Sequence, residues 1–296
     1  MDDKELECYR KAGKIASKIR NEGKTLIKPG VKLLDVAEKV ESRILGVGAK
    51  IAFPVNICIN DVAAHYAPKI NDELVFSSKD VVSLDVGVHI DGFIADTACT
   101  VDLSGEFGKL LDVNEKSLEE AIVAIKPGAS VSLIGEIVQD TIQSAGFKPI
   151  ENLTGHEVKQ YDLHAGLSIP NIKVPYDWRI EEGMVLAIEP FATDGYGRVV
   201  ESKKPEIYSM IDRKPTRMRE ARIIMKEMED RESLPFAERW LSKKVSPLKI
   251  PLAVNELLSK NIITGYPPLH EMKKGIVSQF EHTVIVLEDG CEVTTL

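Results

Sequence analysis

Two aspartates occupy neighbouring strand-like segments of the sequence. The Asp91-Gly92 pair between apolar runs predicts a two-residue hairpin turn. In that hairpin Asp85 pairs with Ala98 and Gly87 with Asp96, which places both carboxylates on one face as diagonal neighbours. Two buried carboxylates repel each other unless one is protonated or a cation lies between them. The spacing is compatible with a metal site and also with an ordinary hairpin that carries solvated acids.

Further candidate ligands occur later in the chain, in strand-like or glycine-bounded segments. His156 and His164 lie eight residues apart in a stretch bounded by glycine. Glu189 ends one apolar run, and Glu281 interrupts another. Taken singly, a histidine of this kind is typical of a structural residue, and each glutamate is typical of an edge-strand carboxylate.

Taken together, these positions supply two aspartates, two glutamates and one histidine close to predicted strands. Mixed carboxylate and imidazole ligation suits divalent Mn, Fe, Co or Zn. Five ligands exceed the needs of one tetrahedral zinc ion and fit a dinuclear site with bridging carboxylates. Two ions about 3.5–4 Å apart can activate a bridging water and hold a substrate. The set therefore favours a dinuclear metal site.

An internal repeat relates the two halves of the chain. Ile27–Gly30 recurs as Ile125–Gly128, 98 residues later, and nine of the 24 positions from 27 to 50 are identical at that offset. Each copy reads as a helix end, a Lys-Pro-Gly turn and an amphipathic helix that a glycine closes before a β run. His65 and His164, which are 99 residues apart, continue the parallel.

Each half then continues into an apolar run that leads to an Asp-Gly pair, at 91–92 and at 194–195. We therefore expect two related α+β halves around a pseudo-two-fold axis, each with a hairpin and each contributing strands to a shared sheet. A ligand site forms readily at an interface of this kind.

The segment 205–265 has no counterpart in the first half of the chain. We interpret it as a helical subdomain inserted into a main domain formed by 1–204 and 266–296. Its alternating charges suit a solvated face, with a partner surface as the alternative. The predicted helices of the insertion cover 216–231, 233–243 and 251–260.

The composition is that of a globular protein, with 44% hydrophobic residues among 296. A formal net charge of -8 argues against nucleic-acid recognition. No apolar run reaches the roughly 20 residues of a membrane span, and no signal peptide is visible, so we expect no membrane association and a cytoplasmic location. The four cysteines lie far apart, which is typical of reduced cytosolic thiols.

The constellation resembles the methionine aminopeptidases, specifically the type 2 branch of archaea and eukaryotes, over essentially the whole chain. The charged N-terminal extension of the eukaryotic members is not seen, so the resemblance is to the archaeal type. It implies an α/β (α+β) pita-bread fold, the creatinase/aminopeptidase fold, whose two similar halves agree with the repeat. The resemblance is carried by Asn60–Pro68, Asp85 and Asp96, Gly155-His156 with His164, Ile188-Glu189, Tyr266–Leu269 and Gln279–Thr283.

The resemblance also implies roles for the candidate ligands. Asp85 would bind one of two divalent ions (Co, Mn, Fe, Zn or Ni), and His156 and Glu189 would bind the other. Asp96 and Glu281 would bridge the two ions. A bridging hydroxide would attack the carbonyl after the substrate methionine, and Glu189 would carry the proton to the leaving amine.

The remaining site residues are likewise implied by the resemblance. His164 would stabilise the developing oxyanion, and His65 would assist at the leaving or amine side. Phe53, Leu163 and Tyr266 occupy positions that resemble the pocket for the methionine side chain. As apolar or aromatic residues, these three are also consistent with plain core packing.

The implied activity is co-translational removal of the initiator methionine from nascent chains whose second residue is small. The expected partners are the N-terminal peptides of nascent proteins, with a transient ribosome contact, and the expected state is a monomer. One alternative is an Xaa-Pro aminopeptidase or prolidase of the same fold, which normally carries an additional N-terminal domain. Another is a non-catalytic pita-bread binding protein, which typically lacks metal ligands that this chain retains.

Overall fold

The computed structural model describes residues 1–202 and 204–296, so Lys203, within the predicted main domain, lies outside the described residues. None of the helices in the described part is both long and apolar enough to cross a membrane. The α-helices are α1 (Asp3–Lys24), α2 (Leu33–Gly46), α3 (Gly108–Val123), α4 (Val131–Ser144), α5 (Arg219–Met228) and α6 (Ile250–Ser259). The strands are β1 (Lys50–Ile59), β2 (Val62–Ala64), β3 (Val81–Ile90), β4 (Phe93–Asp102), β5 (Lys148–Pro149), β6 (Thr154–Glu157), β7 (Ser168–Pro170), β8 (Val185–Ile188), β9 (Phe191–Thr193), β10 (Val199–Glu201), β11 (Ile207–Met210), β12 (Phe236–Ala237), β13 (Ile263–Tyr266), β14 (Leu269–Glu271), β15 (Val277–Gln279), β16 (His282–Leu287) and β17 (Gly290–Val293).

The hairpin β3–β4 has the register predicted from the sequence. Asp85 lies opposite Ala98, and Gly87 lies opposite Asp96. Both turn residues have positive φ, 51° at Asp91 and 90° at Gly92, which is the conformation that a type I′ turn requires and that Asp-Gly tolerates. The two aspartates therefore lie on one face of the hairpin.

The predicted repeat is present in the backbone as well as in the sequence. Gly30 and Gly128 have φ values of 84° and 82° and stand at equivalent turns before α2 and α4. The Gly30 N–H donates to the Phe76 carbonyl at 2.8 Å, and the Gly128 N–H donates to the Ile180 carbonyl at 2.8 Å. The same turn therefore recurs in both halves, as the Lys-Pro-Gly motif predicts.

The second hairpin differs from the predicted one. Strands β8 and β9 do not fold back through Asp194-Gly195 onto the next strand; they pair with β16 and β15, with Thr193 opposite Val277. Residues 194–276 therefore stand where the first half has a two-residue turn. The physical reason is the additional chain between β9 and β15, which contains the paired strands β10 and β14 as well as the predicted insertion.

The expectation of one shared sheet is also wrong in detail. The described strands form five separate sheets, and the halves meet where β4 lies beside the β15–β16 segment. There the Thr283 hydroxyl accepts from the Asp96 N–H at 2.8 Å and donates to the Asp96 carbonyl at 2.7 Å. The Thr100 hydroxyl makes the same pair of bonds with Gln279, at 2.9 and 2.7 Å. Threonine hydroxyls thus replace part of the backbone ladder at this seam.

The inserted segment contains a small sheet, β12-β11-β13, in addition to helices. The predicted helices near 216–231 and 251–260 correspond to α5, followed by a 3₁₀ turn at Glu229–Arg231, and to α6. The predicted helix at 233–243 is wrong: it is β12 followed by a 3₁₀ helix. Phe236 and Ala237 instead pair with β11, and Pro235 keeps the residue before it out of the helical region.

The insertion has a hydrophobic cluster of its own, which includes Tyr208, Phe236, Leu257 and Ile263. Leu234 instead packs in the cluster that contains residues of the main domain. The division of the chain at 205 and 265 therefore stays a prediction.

Gly13 on α1 generates a stability prediction. A Cβ at this position would overlap the carbonyl and side chain of Thr294, so α1 can approach the C-terminal segment only without a side chain here. We expect Gly13→Ala to lower the free energy of unfolding by about 1–3 kcal/mol.

The matched control is Gly46, in α2, where a Cβ would meet no other atom within 4 Å. We expect Gly46→Ala to be neutral or stabilising by up to about 1 kcal/mol. Urea denaturation of both variants checks the pair, and equal effects would contradict the packing argument.

Candidate metal centre

One cavity gathers every site residue that the sequence predicts. It lies between the two halves and the insertion, and its lining includes no lysine or arginine among the described residues. The ten predicted residues that line it are Phe53, His65, Asp85, Asp96, His156, Leu163, His164, Glu189, Tyr266 and Glu281.

The acids reach this cavity from the two hairpins of the repeat. Asp85 lies on β3 and Asp96 on β4. Glu189 directly follows β8, and Glu281 occupies the break between β15 and β16. Each half therefore contributes two carboxylates, and His156 enters from β6, which pairs with β8. The strands rather than the loops set most of the geometry.

Three of these residues meet the spacing expected of ligands to one ion. Asp96, His156 and Glu281 offer ligand atoms that all lie within 4.8 Å of one another. The His156 Nε2 atom lies 3.7 Å from Asp96 Oδ2 and 3.5 Å from Glu189 Oε1. Both distances suit atoms that surround a common ion at about 2.0–2.2 Å better than a direct hydrogen bond. Asp85 lines the same cavity.

The electrostatics of the four carboxylates are unfavourable without cations. Burial raises the pKa of Asp85 to about 7. Burial, and then the charges of Asp85 and Glu189, raise the pKa of Asp96 well above its usual value. Burial and the neighbouring acids act in the same direction on the pKa of Glu189 and of Glu281. Each shift disfavours the ionised form, and a divalent cation reverses that balance.

The histidines of the cavity are held neutral. Burial, and then the proximity of His164, lower the pKa of His156 to about 3 and that of His65 to about 4. Burial also lowers the pKa of His164. A neutral imidazole has a lone pair free for a metal ion and an N–H free for a substrate oxygen.

Unpartnered polar atoms provide a test of whether a metal fits. Asp85 Oδ1, Asp96 Oδ1 and Glu281 Oε2 are buried and have no hydrogen-bond partner among the described residues. Unsatisfied buried oxygens are rare in proteins and need an explanation. Oxygen ligands from four acids together with one imidazole suit a borderline divalent ion. The residues present therefore fit a metal centre.

The aromatic side of the cavity brings the remaining predicted residues together. The His164 ring lies 4.6 Å from that of His156, measured between centroids, and 6.2 Å from that of Tyr266. The His65 ring meets Tyr266 edge-on at 5.7 Å. His65 itself has a φ of 64°, an uncommon conformation for a residue other than glycine. Such strain often marks a functional position.

Sequence reasoning missed several residues of the lining. Gln279 donates from Nε2 to Glu189 Oε2 at 3.3 Å, and its position two residues before Glu281 on a strand could have revealed it. Asn56 lies opposite Asp85, and its Oδ1 atom has no partner among the described residues. Ile207 and Pro235 come from the insertion, where no pattern in the sequence points to the cavity.

Comparisons with known proteins agree with this geometry. A model of metallopeptidase family M24 matches residues 7–288. The chain is 49% identical to a methionine aminopeptidase of Archaeoglobus fulgidus over 296 residues, which is 100% of both chains. It is 48% identical to a methionine aminopeptidase of Methanocaldococcus jannaschii over 295 residues, covering 98% of this chain and 99% of the relative. It is also similar to the crystal structure of a methionine aminopeptidase from Thermotoga maritima, with a TM-score of 0.74, 26% identity and coverage of 100% and 98%.

The charge of the cavity generates a prediction that needs no activity assay. Glu281→Gln removes one negative charge from the buried acids while keeping the shape of the side chain. We expect the chelator-treated variant to melt at a higher temperature than the chelator-treated wild type, because less repulsion remains. We also expect added Mn²⁺ or Co²⁺ to stabilise the variant less than the wild type. For the wild type, metal at 100-fold above Kd corresponds to a stabilisation of about 2.7 kcal/mol.

The measurement is a thermal melt with and without the metal, and Glu288→Gln is the matched control. Glu288 is exposed and lies just after β16, so its substitution should change neither melt. Equal stabilisation of Glu281→Gln and wild type by the metal would contradict a role for Glu281 in the centre.

Proposed function

The chain belongs to metallopeptidase family M24, and we propose that it hydrolyses the first peptide bond of polypeptides that begin with methionine. The observation that carries the proposal is the buried set of four carboxylates and neutral histidines in one cavity, free of lysine and arginine among the described residues that line it. Relatives of nearly the same length that are named methionine aminopeptidases support the same activity.

We propose that this cavity holds two divalent ions. Asp85 would hold one ion, His156 and Glu189 would hold the other, and Asp96 and Glu281 would contact both. When bound, such ions polarise a peptide carbonyl and make water a nucleophile near neutral pH. The chemistry of the ligands suits Mn, Fe, Co, Ni or Zn, and metal availability then selects among them.

The protein's own groups supply the proton transfers. Glu189 is buried, and its pKa is raised by burial and by Asp85, so its carboxylate can accept a proton at Oε and release it to the leaving amine. Gln279 steadies that carboxylate through its hydrogen bond to Oε2. His164 is neutral and can donate an N–H to the oxyanion that develops on the scissile carbonyl. His65, whose ring lies 5.7 Å from that of Tyr266, would assist at the amine.

Selectivity for the first residue would come from the apolar wall of the cavity. Phe53, Leu163 and Tyr266 line it together with Ile207 and Pro235. A flexible thioether side chain packs well against aromatic and branched surfaces of this kind. We infer that the methionine side chain occupies this wall.

Selectivity for the second residue would come from the histidines. His65 and His164 border both this cavity and an adjoining cleft that also contains Thr154 and Ser168. Where the substrate peptide leaves the first site, it would pass between the two histidine rings and the adjoining cleft. This crowding favours a small second residue.

The substrates would be the N-terminal segments of nascent proteins, and we propose action in the cytoplasm by a monomer that contacts the ribosome transiently. An Xaa-Pro aminopeptidase or prolidase activity is not favoured, because relatives at 48–49% identity are named methionine aminopeptidases. A non-catalytic binding role is not favoured either, because all five candidate ligands line the cavity.

The proposal predicts metal-dependent release of methionine from a Met-Gly peptide and little release from a Met-Leu peptide. We expect Asp96→Asn to lower kcat by ~100-fold or more, since several kcal/mol of charge stabilisation depend on this centre. Asp91→Asn, on the turn of the same hairpin and outside the cavity, is the matched control and should retain activity. The measurement is methionine release by metal-stripped protein to which Mn²⁺ or Co²⁺ is returned.

Two results would contradict the proposal. One is a folded wild-type protein that releases no methionine with any of these metals. The other is Asp96→Asn protein that is as active as the Asp91→Asn control.

A further inference from the structure

Arg231, at the end of the 3₁₀ turn after α5, connects the insertion to strand β1. Its Nη2 donates to the carbonyls of Ile51 at 2.9 Å and Ala52 at 3.3 Å, both on β1. The same nitrogen donates to the Pro235 carbonyl at 2.7 Å, so its two N–H groups are shared among three carbonyls. Ala52 immediately precedes Phe53, and Pro235 lines the cavity. One side chain therefore links two parts of the cavity wall that are far apart in sequence.

The carbonyls that Arg231 contacts lie on an edge strand. β1 pairs only with β3 in its sheet, so its other edge has backbone groups that need partners. The register of β1 is irregular on both sides of Phe53, between Ile51 and Phe53 and between Phe53 and Asn56. Bulges of this kind re-aim a side chain and leave backbone groups unpaired. Arg231 supplies donors where the ladder is disturbed.

Phe53 depends on this local backbone for its position. It lies opposite Gly87, and a Cβ on Gly87 would overlap the Phe53 ring, so the ring rests directly on the backbone of β3. Leu234 packs in the same buried cluster as Phe53 and Leu163. The segment 231–235 thus packs against this wall through the hydrogen-bonded side chain of Arg231 and the apolar side chain of Leu234.

The surroundings of Arg231 favour this role over a surface ion pair. The guanidinium stacks over the Trp240 ring at 4.9 Å from its centroid, and burial lowers its pKa to about 10. No ion pair involves Arg231 in the part of the chain that the structure describes. Its polar contacts there are the three carbonyls, so the charge is used to hold backbone.

We propose that Arg231 is a positioning residue for the pocket that takes the substrate's first side chain. It fixes the irregular part of β1 so that the Phe53 ring faces the cavity, and it fixes Pro235 beside that ring. The insertion then sets selectivity at a site whose five candidate metal ligands all lie outside it. The inference rests on the proposed function, because it concerns the pocket for methionine.

The test compares Arg231→Met, which cannot donate, with Arg231→Lys. A lysine keeps the positive charge and offers three N–H donors at Nζ, on a side chain one bond shorter than that of arginine. Steady-state kinetics are measured on Met-Gly and Leu-Gly peptides, together with thermal melts and metal content. Arg213→Met is the matched control, because Arg213 is an exposed arginine of the insertion paired with Glu232.

We expect Arg231→Met to raise KM for the methionyl peptide roughly five- to tenfold, the effect of losing one or two hydrogen bonds, with kcat within about twofold. We expect its preference for methionine over leucine to narrow, while metal content stays unchanged. Arg231→Lys should reverse most of the rise in KM and most of the loss of preference for methionine over leucine. Arg213→Met should match wild type. Arg231→Gln, whose amide is too short to reach β1, should repeat the KM effect if the methionine variant does not fold.

Three results would overturn the inference. The first is a lower melting temperature with unchanged KM and unchanged preference, which would make Arg231 merely structural. The second is an equal loss of kcat on both peptides with reduced metal content, which would mean collapse of the centre. The third is an active wild type with unaltered variants, which would overturn this inference and leave the proposed function standing. A wild-type chain that releases no methionine would instead overturn the proposed function, and this inference with it.

Discussion

Four carboxylates, from Asp85, Asp96, Glu189 and Glu281, share one buried cavity that has no lysine or arginine in its described lining. Burial raises the pKa of each, and repulsion from neighbouring acids raises the pKa of Asp96, Glu189 and Glu281 further, so the arrangement opposes folding unless protons or cations compensate. The surrounding structure must therefore hold these groups together against their repulsion. Strand pairing, the threonine seam and the neutral histidines all serve that requirement.

The pseudo-two-fold repeat holds the four carboxylates together by using the same hairpin arrangement twice. Each half presents two acids on a hairpin, and the hairpins meet at a seam where the hydroxyls of Thr100 and Thr283 both donate and accept. These bonds involve the backbone of Asp96 itself and of Gln279, two residues before Glu281. The positions of the acids are thus defined by backbone groups that cannot rotate away, as a preorganised site requires.

The insertion contributes to the site in a different way. It lies within the chain 194–276 that replaces a two-residue turn at the tip of the second hairpin, and from there Arg231 reaches back to β1. Ile207 and Pro235 bring apolar surface to the cavity, whereas the acids and His156 come from the repeat. The repeat thus holds the charged chemistry, and the insertion shapes the space beside it.

The sequence by itself determined the local elements and the chemical character of the centre. The Asp91-Gly92 turn and the alternation of strands defined the Asp85–Asp96 pair, because a type I′ turn permits one register. Spacing alone pointed to the four acids and to His156 and His164, whereas the other predicted site residues came from the family resemblance. Only the tertiary structure decided that the second hairpin closes across residues 194–276, and that Pro235 and Arg231 belong to the wall. The contacts of Arg231 with β1 join residues 179 and 180 positions apart, and Thr193 pairs with Val277 across the whole of 194–276. No local pattern encodes such contacts, because packing and unpaired backbone groups on an edge strand select them.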